Sequence, residues 1–103
     1  MARKRKNKRI YSEVSSPSDI TKINRMIRSQ LRRVKTKPRI TELVKRSAYL
    51  CTLTYSPGFR KKLRGKLTKA RKTAREEYRK TAKLANQRLR QLHIPGKYDE
   101  VWG

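Results

Sequence analysis

Between Arg60 and Lys83 the chain sets twelve basic residues against two acids, Glu76 and Glu77, with no proline and a single glycine, Gly65. Folded domains are stable by only about 5–15 kcal/mol. Repulsion among so many like charges therefore opposes compaction unless a polyanion neutralises them. The imbalance runs through the whole chain: 103 residues carry 31 Lys+Arg against 7 Asp+Glu, a formal charge of +24. Apolar residues make up 34%, short of the roughly 45–50% of ordinary globular domains, so the core must be small and thin.

The charge is unevenly placed. It sums to +5 over 1–16, +6 over 17–37, +2 over 38–56, +12 over 57–92 and −1 over 93–103, so the middle of the chain is the least charged basic stretch and the best candidate for the core. Cys51 and His93 are single occurrences. No intramolecular disulfide can form, the pair cannot by itself complete a four-ligand zinc site, and a reducing setting is expected. The basic N-terminus is not followed by the apolar stretch of a secretory signal, and no apolar run approaches the roughly 20 residues that cross a bilayer.

Residues 1–16 read as an extended basic arm, because Arg3, Lys4, Arg5, Lys6, Lys8 and Arg9 bring charge without large apolar side chains to offset the entropy of ordering. Residues 17–92 read as one all-α domain, a small three-helix arrangement ending in a long basic helix. The first helix is expected at 17–35: Ser16, Pro17 and Asp19 form an N-cap, first-turn proline and capping-box signature, and Ile20, Ile23, Met26, Ile27, Leu31 and Val34 recur on one stripe. Pro38 drives the residue before it out of the α region and opens a second helix at 38–55. Its wide apolar face, Ile40, Leu43, Val44, Ser47, Ala48, Leu50, Cys51 and Thr54, marks it as the most buried element. The β-branched and aromatic run 49–55 also fits an extended strand, and helix is preferred.

Ser56-Pro57 repeats the entry signal for a third helix at 57–92, with Phe59, Leu63, Leu67, Ala70, Ala74, Tyr78, Ala82, Ala85, Leu89 and Leu92 in steps of three or four. An unbroken helix of that length would extend about 50 Å, so part of it is expected to project from the bundle. The alanines imply close approach of a neighbour. Gly65, costing about 1 kcal/mol in a helix interior, is the expected place for a bend. Phe59, Tyr49 and Tyr55 are expected in the core. Residues 93–103 form a short tail; the tail aromatics Tyr11, Tyr98 and Trp102 are candidates to stack on unpaired bases, the alternative for Trp102 being a hydrophobic plug folded back on the bundle or onto a neighbouring protein.

Three clusters are candidates for binding phosphate: Arg60, Lys61, Lys62, Arg64, Lys66, Lys69, Arg71, Lys72, Arg75, Arg79, Lys80 and Lys83 on the third helix; Arg32, Arg33, Lys35, Lys37 and Arg39 at the first break; and the arm, for which a solubilising or nuclear-import role is the alternative. A solvated helix held by its own ion pairs would need more acids, since only Glu76 to Lys80 has the favourable spacing. No phosphate-cradling glycine loop, clustered carboxylates or nucleophile-and-base pattern is present, so no catalytic site, cofactor or metal is expected.

A basic arm, a small helical body, a long basic helix and a C-terminal hook within 103 residues together resemble, in kind, the small three-helix ribosomal proteins that fill gaps between rRNA helices. The resemblance implies a lineage-specific ribosomal protein, with archaeal origin favoured by a Lys-, Arg- and Ile-rich composition. It would be a cytoplasmic constituent of the ribosome that binds rRNA and touches neighbouring ribosomal proteins, without membrane or small-molecule partners. A chromatin or nucleoid protein binding DNA nonspecifically is the competing expectation, and a cationic helix lying on a membrane surface ranks third because the long helix lacks a continuous large apolar face.

Overall fold

In a computed structural model the described residues, 14–103, form four helices and no strand: α1 (Pro17–Leu31), α2 (Lys37–Leu53), α3 (Pro57–Lys62) and α4 (Leu67–Gln91). The fold is all-α, as the sequence leads one to expect, and the 49–55 ambiguity resolves as helix through Leu53. The basic arm lies almost wholly outside the described residues.

Local chemistry sets the helix ends. At the start of α1 the Asp19 carboxylate accepts from the backbone amides of Ser15 (3.0 Å) and Ser16 (3.1 Å), the reciprocal contact of a capping box. The Ser15 amide first, then the Ser16 and Ser15 hydroxyls and the Ser16 amide, hold the Asp19 carboxyl below its usual range against the opposing effect of burial. Ser16, Thr36 and Ser56 each precede a helix with proline in its first turn. α1 stops at Leu31 rather than 35, closed by turns in which the amides of Arg33 and Val34 both bond Gln30 O.

The expected single helix at 57–92 is two. Gly65 adopts φ +78°, a left-handed conformation open to glycine and strained for other residues, and it separates α3 from α4. The projection expected of the long helix is also absent. α4 would measure about 37 Å, the molecule extends 43 Å along its longest axis, and buried residues run along α4 from Ala70 to Leu89. Residue count alone suggests a projecting helix; the alanine seam explains why there is none. Ala70, Ala74, Ala82 and Ala85 are all essentially inaccessible, so their small side chains let neighbouring helices come close, and larger residues of α1 and α2 supply the apolar bulk.

The topology is up-down-up. Arg28 of α1 meets Glu77 and Thr81 of α4, and the Arg88 guanidinium donates to Val34 O just after α1, so α1 and α4 run parallel. α2 runs back antiparallel to both: Ser47 faces Asn24 of α1, and Thr54 O, at the far end, accepts from Arg71 near the start of α4. Ile20, Leu31, Ile40, Leu43, Leu50, Leu63 and Leu89 fill the interior with almost no exposure. At about 1.5–3 kcal/mol per buried large aliphatic side chain, they are the main source of cohesion.

Three expected core positions are exposed. Met26 is 57%, Tyr49 46% and Tyr55 42% accessible, because α1 and α2 each present a narrower inward face than their apolar spacing implies. Polar residues take some of the vacated interior. Asn24, fully buried, accepts at Oδ1 from Ser47 Oγ and from Thr81 Oγ1 (3.1 Å), while its amide donates to Ile20 O. One asparagine thus ties all three long helices together, and its satisfied bonds favour a single register over slipped packings.

α4 ends in a Schellman motif: the His93 amide bonds Arg90 O, the Ile94 amide bonds Leu89 O, and His93 sits at φ +56°. The tail then folds back against α2 and α4. Asn86 clamps the Tyr98 backbone through both its amide groups, Tyr78 Oη donates to Asp99 O, and Lys37 Nζ donates to Pro95 O. Trp102 stacks on Tyr55, which favours the folded-back alternative for the tail.

Candidate nucleic-acid interface

α4 has two chemically distinct sides. The inward side carries the alanines together with Tyr78, Thr81 and Glu77, while Asn86 is buried beneath the C-terminal tail. At about 100° per residue, Lys72, Arg75, Arg79, Lys83 and Arg90 fall within an outward arc of about 80°, with Lys69 and Lys80 on its flank. All seven are exposed. The arc runs about 27 Å from Lys72 to Arg90 at the normal helical rise.

The two acids of this segment do not share the work expected of them. Glu77 is turned inward, where it meets Arg28 at 2.9 Å and Lys80 at 3.2 Å, so the ion pair with Lys80 is made from three residues away and not from Glu76 at four. The Arg28 contact is ionic at Glu77 Oε1, which takes no hydrogen bond. With Glu77 withdrawn into the bundle, Glu76 is the only acid of α4 left on its surface. The outward cations consequently outnumber the acids beside them, exposed Glu76 and the Glu100 carboxylate held by Asn86.

The expected cations are divided among different tasks. Arg71 is the one member of the described set that is half-buried: its Nε donates to Thr54 O at 3.3 Å and its guanidinium lies 4.0 Å from the Tyr55 ring centroid. Arg71 therefore braces the α2–α4 junction. Lys37 and Lys80 reach Pro95 O and Glu77, and Arg39 pairs with Glu42. Lys62 lies over the Phe59 ring. Arg32, Arg33, Lys35, Arg60, Lys61, Arg64, Lys66, Lys69, Lys72, Arg75, Arg79 and Lys83 are exposed on the described surface. Arg3, Lys4, Arg5, Lys6, Lys8 and Arg9 lie outside the described residues.

Sequence spacing passes over several exposed cations. Lys22 and Arg25 of α1 and Arg90 of α4 are exposed, and a helical projection of α4 would have placed Arg90 on the Lys72–Lys83 arc. Arg28 and Arg88 are the opposite case, arginines recruited to a carboxylate and a backbone carbonyl inside the protein, and no spacing rule marks them. Because α1 and α4 are parallel neighbours, a shallow groove forms where Ser16, Ser18 and Thr21 face Lys66, Lys69 and Thr73.

The remaining chemistry is structural. Burial pushes the Cys51 thiol up to about 12, against the pull of nearby Arg75, so the sulfur stays protonated and poorly nucleophilic at neutral pH. Burial raises the Tyr78 hydroxyl as well, with the charge of Asp99 adding to the effect. Among the described residues no three His, Cys, Asp or Glu side chains gather as metal ligands, and no helix is long and apolar enough to cross a membrane. The chain matches no family model, no curated protein and no solved structure.

Proposed function

We propose that the chain is a structural constituent of the ribosome that binds and stabilises rRNA by neutralising its phosphates. The observation that carries this reading is the outward arc of α4, where Lys72, Arg75, Arg79, Lys83 and Arg90 stand exposed while Glu77 is drawn into the bundle. A rigid row of cations in excess over the nearby acids loses little entropy on meeting a phosphate backbone and releases condensed counterions when it does. Arg32, Arg33 and Lys35 in the α1–α2 connection, with Lys61 and Arg64 in and after α3, offer further cations beyond the arc. The basic arm would add Arg3, Lys4, Arg5, Lys6, Lys8 and Arg9, and neighbouring ribosomal proteins and a cytoplasmic ribosomal location belong to the same reading.

The test is sedimentation of native lysate at low and high salt. The protein is expected to travel with ribosomal subunits and to leave them as salt rises. Recovery with DNA-containing fractions alone would instead assign it to chromatin or the nucleoid, and the phosphate-binding face would serve a duplex.

A further inference from the structure

At the end of the bundle where α2 gives way to α3, Tyr55 is 42% exposed although it makes two ring contacts. Trp102 stacks on it with centroids 5.8 Å apart and planes 19° from parallel, and Arg71 lies over the ring. The position of Trp102 is set from outside the stack, since Tyr78 holds Asp99 O and Asn86 holds both the Tyr98 backbone and the Glu100 carboxylate. A plug serving only to close the core would enclose its rings. These two stay partly accessible at the surface, Glu100 is turned to Asn86, and the chain continues from Tyr55 directly into α3 with exposed Arg60 and Lys61.

We propose that Trp102, backed by Tyr55 and Arg71, is a platform on which an unpaired base of the bound nucleic acid stacks. Arg60 and Lys61 of α3, which follows Tyr55 in the chain, hold the adjoining phosphates. Flat rings accept any base on a π-face, and a ring already fixed in place loses little freedom when the base arrives. This rests on the nucleic-acid reading above and narrows it: part of the bound strand must be single-stranded at this end of the molecule.

Trp102 is the sole tryptophan, so intrinsic emission reports on the platform alone. The experiment compares a short single-stranded RNA with an abasic ribose-phosphate strand of equal length, followed by Trp102 emission and by anisotropy of the labelled strand. The base-bearing strand is expected to quench the emission and to bind about tenfold more tightly than the abasic one; Trp102→Ala should abolish that preference and leave abasic binding unchanged. Equal quenching by the two strands, or an equal loss of affinity for both in the variant, would reduce Trp102 to a packing role. If both strands bind in a salt-dependent way with emission unmoved, stacking alone fails. If neither binds, the nucleic-acid reading falls with it. Should Trp102→Ala not fold, the emission comparison on the unaltered protein decides.

Discussion

α2 and α4 are both long helices packed against α1, yet they handle charge in opposite ways. On α2 exposed Arg39 and half-buried Arg46 share Glu42, at 3.4 and 2.7 Å, and the segment 38–56 carries only +2. On α4 the segment's useful acid, Glu77, is buried against Arg28 and Lys80, while most of the cations stay outside. α2 supplies large aliphatic side chains to the core; α4 supplies alanines. α4 packs along the bundle mainly through small and polar side chains while its outer arc keeps its cations, and the difference lies in where each acid points.

The sharpest way to break this contrast is to remove the inward acid. Glu77→Ala would leave Arg28 without its partner beneath α4 and should cost about 3–5 kcal/mol of stability, as loss of one member of a buried pair does. Glu76→Ala, on the exposed side, should change the chemical-denaturation midpoint little and tighten RNA binding. Equal effects would mean that the two acids are not distinguished by burial.

Next in size is the weakening of binding when the outer arc is neutralised. Lys72→Gln, Arg79→Gln and Lys83→Gln combined should weaken RNA binding about a hundredfold at low salt and flatten the log-log salt dependence by about 0.7–0.9 for each phosphate that the variant no longer neutralises. Lys45→Gln with Arg46→Gln on α2 should do far less. A comparable weakening from the α2 pair, measured by salt titration of RNA affinity, would make charge number rather than position the determinant.

The seam itself is open to a smaller test. Ala82→Leu should destabilise by about 1–3 kcal/mol, because the close approach leaves no room for a larger side chain, whereas Ala48→Leu on half-buried α2 should be tolerated in thermal unfolding. Smaller still is the capping contact of α1. The Asp19 carboxyl is held below its usual range, so its contribution is present above about pH 4 and is lost as pH falls through the lowered value. Because Asp19 is largely solvated, a few tenths of a kcal/mol is the expected size. The stability gap between the unaltered protein and Asp19→Asn should close in acid; a gap that persists there would show that the charge is not involved.

The legible parts of the sequence are those governed by local rules. Ser16-Pro17-Ser18-Asp19 marks the start of α1 and Ser56-Pro57 the start of α3, because capping bonds and proline geometry involve only a few neighbouring residues. At 49–55 period and length outweigh β-propensity in favour of helix, and Gly65 is the expected place for a bend. The pattern misleads where a remote neighbour decides the outcome. Tyr49 and Tyr55 follow an apolar pattern yet stay 46% and 42% accessible, Tyr55 being met by Trp102 of the tail and Arg71 of α4, and Asn24 enters the core because Ser47 and Thr81 happen to satisfy it.

The candidate interface divides along the same line. Composition is enough to establish an excess of cations, since charge sums do not depend on fold. Which cations remain available was decided only by tertiary structure: Arg28, Arg71 and Arg88 turn to a carboxylate or a carbonyl across the bundle, Lys72, Arg75 and Arg79 do not. The physical reason is that helical periodicity assigns a residue to a face, while the use of that face depends on what a second helix, distant in sequence, brings against it.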